Sequence, residues 1–344
     1  MSDRKLTEGN DGQTIVPNGA DASYLAVSEW DIGTFNDILS DEIDSDFASS
    51  ICCCDACYDE FARRWPGVTM HDLTFMNNAM TVEYCVEQSR LVQLYTPAEL
   101  KTLKHFVQCP RCDTYVQKSV HIFEHPFDRV REIEEWIDEL AEIGSRTPFL
   151  LLEHPFARGI LEAVRDLSLE TQPSALEGAF FRARKTADIL RLGQSLSDVT
   201  TFGPAPSSVI GEGRFNHAGS PMVYLATTVE TALLEIGSTE DEYCIAELSI
   251  EGQFKILDLI ELNDSSEART PILAMANSAL VAAPRADRGW LRPEYVFSRF
   301  VADCAKNAGF DAIRYASTKS GGGENYVLLS APQDLLSLIH VHRR

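Results

Sequence analysis

Apolar residues follow two patterns along the chain, and the change falls near residue 174. Before it, from Ile51 to about Thr171, they recur mostly at helical spacing. Val130, Ile133, Ile137, Leu140 and Ile143 make one stripe with Glu and Asp between them, which predicts an amphipathic helix over Asp128 to Ile143. Ile160, Leu161, Val164 and Leu167 repeat the arrangement over Pro155 to Leu169. Thr96-Pro97-Ala98-Glu99 is a capping box with proline at the first helical position, and the helix it opens continues through Leu100 to Phe106. Such stripes are packing surfaces.

Thr171-Gln172-Pro173-Ser174 is the best candidate linker. Beyond it, short β-like runs take over: Ala179 to Ala183, Met222 to Ala226, Tyr243 to Ile250, Phe254 to Asp258, Ala312 to Tyr315 and Tyr326 to Leu329. Two helices, Val229 to Ile236 and Pro293 to Ala308, lie among turn-rich loops. That mixture predicts an α+β domain over 174–344, preceded by a mainly helical module over 51–173. Residues 1–50 are acidic, densest at Asp41, Glu42, Asp44 and Asp46, and are expected to form a flexible arm.

Charge narrows the partners. The 344-residue chain carries a formal net charge of -22. It has no long Lys/Arg run, so nucleic-acid phosphates and anionic membrane surfaces are not expected partners. A small anionic ligand remains compatible, because one or two arginines can reverse the field inside a cleft. No stretch of about 20 apolar residues appears. Met1 to Asn10 lacks an apolar signal core, so a cytoplasmic location is expected, and the 9 cysteines read as thiols or metal ligands.

Cys54-x-x-Cys57 and Cys109-x-x-Cys112 are the clearest metal signal. Each CxxC turn can present two thiolates to one ion, and two turns complete a tetrahedral shell. Pro110 suits the second turn; Cys52 and Cys53 stand as alternatives to Cys54 for the first position. A closed four-thiolate site is structural, so zinc is expected to stabilise this module and take no part in catalysis. The long insert between the pairs needs a filler, for which a helix over Met70 to Leu94 is expected.

The densest chemistry lies in Gly211-Glu212-Gly213-Arg214-Phe215-Asn216-His217-Ala218-Gly219-Ser220-Pro221-Met222-Val223-Tyr224-Leu225-Ala226. Glycines permit close backbone approach, and the guanidinium is a planar fork suited to phosphate or pyrophosphate. Tyr224 lies near the end of the β-run, and Glu235 follows on the next helix among Ala232, Leu233, Leu234 and Ile236. Far downstream, Arg314-Tyr315-Ala316-Ser317 closes a strand, a polar Gly-rich loop runs from Ser317 to Glu324, and Asn325 begins the next strand. Singly, each of these residues suits an ordinary structural role. Their order and spacing say more.

That order resembles the RES domain family, named for an Arg, a Glu and a Ser. Its GR(F/W)N-x-x-G-x-P-x-x-YLA segment and following A-x-x-E helix are matched by Gly213-Arg214-Phe215-Asn216, Gly219, Pro221, Tyr224-Leu225-Ala226, Ala232 and Glu235. The family serine maps to Ser317 and its asparagine to Asn325, while an upstream arginine maps to Arg182, with Arg184 as the alternative. The resemblance covers Ala179 to the C-terminus. The cysteine-bearing half resembles the zinc-binding HEPN/RES-type extensions of some members. Most members are short toxins beside an antitoxin, and the long N-terminal module departs from that pattern.

The resemblance implies an ADP-ribosyltransferase-like fold with a split β-sheet core. It implies NAD as substrate, cleaved at the nicotinamide–ribose bond with inorganic phosphate or water as acceptor. Glu235 would stabilise positive charge developing on the ribose or orient its hydroxyls. Arg214 would hold the pyrophosphate or the attacking phosphate, and Tyr224 would pack on the nicotinamide or its ribose. Ser317 would bond the nicotinamide side or the acceptor. Phosphate would need a second anion site, to which Arg182, Arg184 or Lys185 would contribute, and the plural arginines favour phosphate slightly as acceptor. Asn216 and Asn325 would serve binding. An antitoxin or regulatory partner and a homo-oligomer are compatible with this. Two other readings remain open: ADP-ribosyl transfer to a macromolecule, and a non-catalytic nucleotide-binding or zinc scaffold.

Overall fold

The computed structural model describes residues 14–17, 19, 21–46, 50–71, 79–109, 111–116, 118–124, 127, 129–237, 242–262, 267–282, 295–319, 322–330 and 335–343. Contacts divide the chain into two compact units, Met1–Arg63 with Asp72–Val130, and Arg64–His71 with Arg131–Arg344.

In the first unit, β1 (Thr14–Ile15) pairs antiparallel with β2 (Val27–Ser28) and leads into α1 (Glu29–Asp46). Ile32, Phe35 and Leu39 share one face of α1 and are buried. Asn36 donates to the Phe106 carbonyl at 2.9 Å and accepts from the Gln108 N–H at 2.7 Å. Residues 29–46 are therefore a docked helix, not the flexible arm expected from their acidity. Charge density masked a short apolar stripe.

A three-stranded sheet in the order β3-β5-β4 follows, built from β3 (Ser50–Cys54), β4 (Ala79–Thr81) and β5 (Ser119–Glu124). Helix α2 (Asp55–Arg64) starts where β3 ends, and α3 (Pro66–His71) belongs to the second unit. Where one helix was expected over Met70 to Leu94, the chain instead forms β4, α4 (Val82–Gln88) and α5 (Leu91–Leu94); residues 72–78 lie outside the described residues. Helix α6 (Pro97–Leu103) opens with the expected capping box, Glu99 accepting from the Thr96 N–H at 2.7 Å.

In the second unit, α7 (Val130–Arg146) buries Ile133, Ile137 and Leu140, and α8 (Pro155–Glu170) buries Ile160, Ala163 and Val164. The linker candidate at 171–174 lies inside this unit, and Ser174 bridges to Phe254. Next come β6 (Phe180–Lys185), α9 (Thr186–Arg191), α10 (Val199–Phe202), β7 (Val223–Ala226), α11 (Val229–Ile236), β8 (Tyr243–Ile250) and β9 (Ile256–Asp258). Helices α12 (Thr270–Asn277), α13 (Ala279–Ala282) and α14 (Val296–Ala308) precede β10 (Ala312–Ala316), β11 (Glu324–Leu328) and β12 (Leu336–Arg343).

The expected α+β class holds. The sheet runs β12-β8-β6-β7-β11-β10-β9, antiparallel except for the β9–β10 pair. One apolar layer joins Phe180, Val223, Leu225, Leu248 and Leu328 to Ile189 and Phe202. On the other side, Ala183, Ala226 and Ile245 meet Ala232 of α11. Small residues here let the helix lie close to the strands.

The sheet parts near its middle. Strand β6 pairs with β8 from Phe180 to Lys185 but meets β7 only at Phe181↔Ala226. Strand β12 was missed because a register irregularity between Leu338 and His340 interrupts its period-two pattern. No helix among the described residues is long and apolar enough to cross a membrane.

Candidate functional site

A cavity of about 260 Å3 opens beside the parting of β6 and β7. Arg182, Arg214, Tyr224, Glu235 and Asn325 all line it, together with Tyr295, Tyr315, Thr318 and Lys319. The register explains most of this. Ala226 faces Asn325 and Tyr315 faces Asn325 across successive ladder pairs, so Tyr224, Asn325 and Tyr315 share the face that α11 covers. Arg182 lies one residue beyond Phe181, the residue of β6 that pairs with β7, and also lines the cavity.

Glu235 arrives on α11, which starts at the Thr228 cap and stops at Gly237, whose left-handed φ of 72° suits glycine. Ala232 and Glu235 are three residues apart and share a face, so the buried alanine sets the depth of the carboxylate. Ser317 Oγ and Asn325 Nδ2 both donate to Glu235 Oε1 at 2.8 Å. Both donors are buried. Two neutral donors on one oxygen fix the carboxylate without cancelling its charge. Lys319 Nζ donates to the Glu235 main-chain carbonyl at 2.8 Å and lies 3.9 Å from Oε2.

Arg214 is held from several sides. Its Nη2 donates to the Val281 carbonyl at 2.7 Å, and Nη1 reaches Thr318 Oγ1 at 3.4 Å. The guanidinium lies over the Tyr315 ring at 5.2 Å, and Phe215 packs edge-on to the same ring. Arg214 Nε is buried without a hydrogen-bond partner among the described residues. A buried donor left unmatched costs free energy unless a ligand meets it.

The loop behind Arg214 is closed by Tyr224. Its hydroxyl donates to Asn216 Oδ1 at 2.9 Å and accepts from the Phe215 N–H at 3.0 Å. Asn216 Nδ2 donates to the Gly211 and His217 carbonyls. A side chain at Gly213 would bring Cβ to 2.1 Å from Asn216 Oδ1, so the turn requires glycine. Burial pushes the Tyr224 phenol up to about 12. Helix α14 grips the loop at both ends: Arg299 meets Glu212 at 3.3 Å, and Asp303 meets His217 at 2.8 Å.

The other residues singled out by sequence divide clearly. Asn216 serves the loop and does not line the cavity among the described residues. Arg184 turns to Gln194 and to the Thr201 carbonyl, and is likewise absent from the lining. Arg182 donates to the Phe202 carbonyl at 3.0 Å, and burial, then Arg184, pull it down to about 10. It remains charged at neutral pH. Lys319, Tyr315, Thr318 and Tyr295 were not selected as site residues from sequence. The nearest signal for Tyr315, Thr318 and Lys319 was their place within two residues of Ser317; Tyr295 had none.

In the first unit, Sγ atoms of Cys54, Cys57, Cys109 and Cys112 lie within 4.8 Å of one another and could hold a metal ion. The Cys54–Cys112 distance is 3.8 Å. Two sulfurs at about 2.3 Å from a tetrahedral zinc would be about 3.8 Å apart, so the donors fit that ion. The Cys54 N–H points at Cys109 Sγ at 3.3 Å, a contact that orients a thiolate ligand. Hydrogen bonds from Thr114 hold the Cys112 thiol down at about 6. Cys53 is buried and alternates to the opposite face of β3 from Cys54. Pro110 and the side chain of Cys52 lie outside the described residues.

Residues 180–343 match a family model described as RES domain. No curated protein matches the chain. Among solved structures, one in the M. tuberculosis MbcT–MbcA toxin–antitoxin complex is similar at 12% identity, covering 53% of this chain and 92% of that chain, with a TM-score of 0.34.

Proposed function

From the premise that residues 180–343 of this chain form a RES domain, we propose that the protein degrades NAD by cleaving its nicotinamide–ribose bond. The observation that carries this reading is the carboxylate of Glu235, pinned by Ser317 and Asn325 in a cavity that Arg182 and Arg214 also line. A fixed anion beside two cations suits a substrate that carries a pyrophosphate at one end and develops positive charge at the other.

In the proposed reaction the C–N bond to nicotinamide breaks and its electron pair stays on the ring nitrogen. The ring was cationic, so it leaves neutral and needs no strong general acid. Positive charge grows on the ribose, and Glu235 offsets it. An oxygen of inorganic phosphate, or of water, then bonds the anomeric carbon, giving ADP-ribose 1″-phosphate or ADP-ribose with a released proton. Arg214 holds the pyrophosphate, and its unmatched Nε is a donor for it. Tyr224 acts on the substrate mainly through the loop it closes.

The four-cysteine cluster is assigned to structural zinc, with all four coordination positions taken by sulfur. In a cell the enzyme would act as a growth-arresting toxin or defence effector, kept in check by an antitoxin or regulatory partner.

Incubation of the full chain with NAD, with and without phosphate, and mass identification of the products tests the reading. Free nicotinamide is expected together with a sugar phosphate or ADP-ribose. Unchanged NAD with folded protein would sink it, and label retained on a protein target would favour transfer to a macromolecule.

A further inference from the structure

Lys319 is tied to the catalytic carboxylate more closely than any motif suggests. Its Nζ donates to the Glu235 carbonyl at 2.8 Å and stands 3.9 Å from Oε2. Its own N–H donates to Ser317 Oγ at 3.2 Å. The side chain lines the cavity and is 24% exposed, so a solute in the cavity can reach it. Ser317 and Asn325 both address Oε1; Lys319 is the cation on the side of the other oxygen.

This placement bears on the acceptor. Water is neutral, and a bare carboxylate beside the ribose neither repels it nor hinders loss of its proton. Phosphate is an anion, and at short range within a partly desolvated wall a carboxylate opposes its approach. An ammonium within about 4 Å of that carboxylate offsets part of the opposing field on the side of Oε2. Such an offset requires a positive charge at this position, which the Lys319 ammonium supplies. A cation at this position is unnecessary for hydrolysis and useful for phosphorolysis. It also stands out in a chain of net charge -22.

We propose that Lys319 is the acceptor-specificity residue, admitting inorganic phosphate beside Glu235 and favouring phosphorolysis over hydrolysis. The inference rests on the NAD-degrading reading above. A phosphate oxygen forms the new bond to the anomeric carbon as the C–N bond breaks toward nicotinamide. No electron donor or acceptor enters.

The experiment compares full-length wild type, Lys319→Met and Lys319→Arg at fixed NAD while phosphate is titrated, with ADP-ribose 1″-phosphate and ADP-ribose measured separately. Lys319→Met is expected to move the product ratio toward ADP-ribose by about tenfold or more, with KM for NAD within about threefold of wild type. Lys319→Arg should recover most of the ratio. Should Lys319→Met melt below the assay temperature, Lys319→Gln takes its place, since it keeps a donor for the Glu235 carbonyl and removes the charge.

An unchanged ratio in the uncharged variant overturns the proposal. So does an equal loss of both products, which would mean that Lys319 merely holds the loop. A wild-type product that ignores phosphate overturns it as well. NAD left untouched by wild type fails the underlying reading instead.

Discussion

Ser317 Oγ donates to Glu235 Oε1 at 2.8 Å across 82 residues of chain. The contact joins the end of β10 to the last turn of α11 and ties together two residues that the sequence singled out. Asn325, at the start of β11, donates to the same oxygen. The carboxylate is therefore positioned by neutral donors from the sheet, which leave its charge in place.

That arrangement ranks two variants. Glu235→Gln keeps an oxygen for both donors and removes the charge, so NAD turnover is expected to fall by about 10²-fold or more with little change in Tm. Ser317→Ala leaves Asn325 still donating to Oε1 and should cost about tenfold. Initial rates of nicotinamide release, beside thermal melts, check the order. Equal activity for Glu235→Gln and wild type would remove Glu235 from the chemistry.

Tyr224→Phe tests whether the tyrosine works through the loop. It strips the hydroxyl from between Asn216 and the Phe215 N–H, leaving two polar groups without that partner. A loss of about 1–3 kcal/mol in stability is expected, with a raised KM for NAD as Arg214 loosens. The sign of the pH effect is fixed: the phenol's ordinary value is 10.0 and burial raises it to about 12. Stability from the neutral phenol is complete below about pH 10 and is lost as pH rises through about 12. Denaturant melts from pH 9 to 12 should show a smaller alkaline decline for the variant than for wild type.

The sequence picked out residues that line the cavity better than it showed how they are arranged. Gly213, Arg214, Asn216, Tyr224 and Glu235 were legible because they sit close together in an ordered motif. Which of them face the cavity was not, since that depends on where β6 leaves β7, at Phe181↔Ala226. Arg182 and Arg184 read alike as alternating residues of one strand, yet only Arg182 borders the cavity among the described residues. Helix α1 was hidden by its charge, and β12 by its irregular register. Lys319 had no pattern to mark it: its meaning comes from Glu235, 84 residues away.

The two ion pairs from α14 should set how well Arg214 is placed. Arg299 and Asp303 are four residues apart on one helix face and hold Glu212 and His217, which flank the arginine. The first pair is largely buried and the second is half exposed, so Arg299→Met should cost more than Asp303→Asn. Steady-state kinetics are expected to show KM for NAD rising several-fold in Arg299→Met and little change in Asp303→Asn. A larger effect from Asp303→Asn would reverse the assignment.

Metal removal should separate stability from chemistry. Purified full chain is expected to contain about one zinc per chain by atomic emission, and Cys109→Ser to contain much less, because three thiolates hold zinc more weakly than four. Chelation or that substitution should lower the melting temperature of the unit built from β3, β4 and β5, since metal affinity at such a site is folding free energy. Nicotinamide release, measured below the melting temperature, should persist because the cluster leaves no open coordination position for a substrate. Full zinc content in Cys109→Ser would exclude this cluster as the site. A rate that falls in step with zinc content, with the melting curve of the catalytic unit unchanged, would place the metal in the reaction.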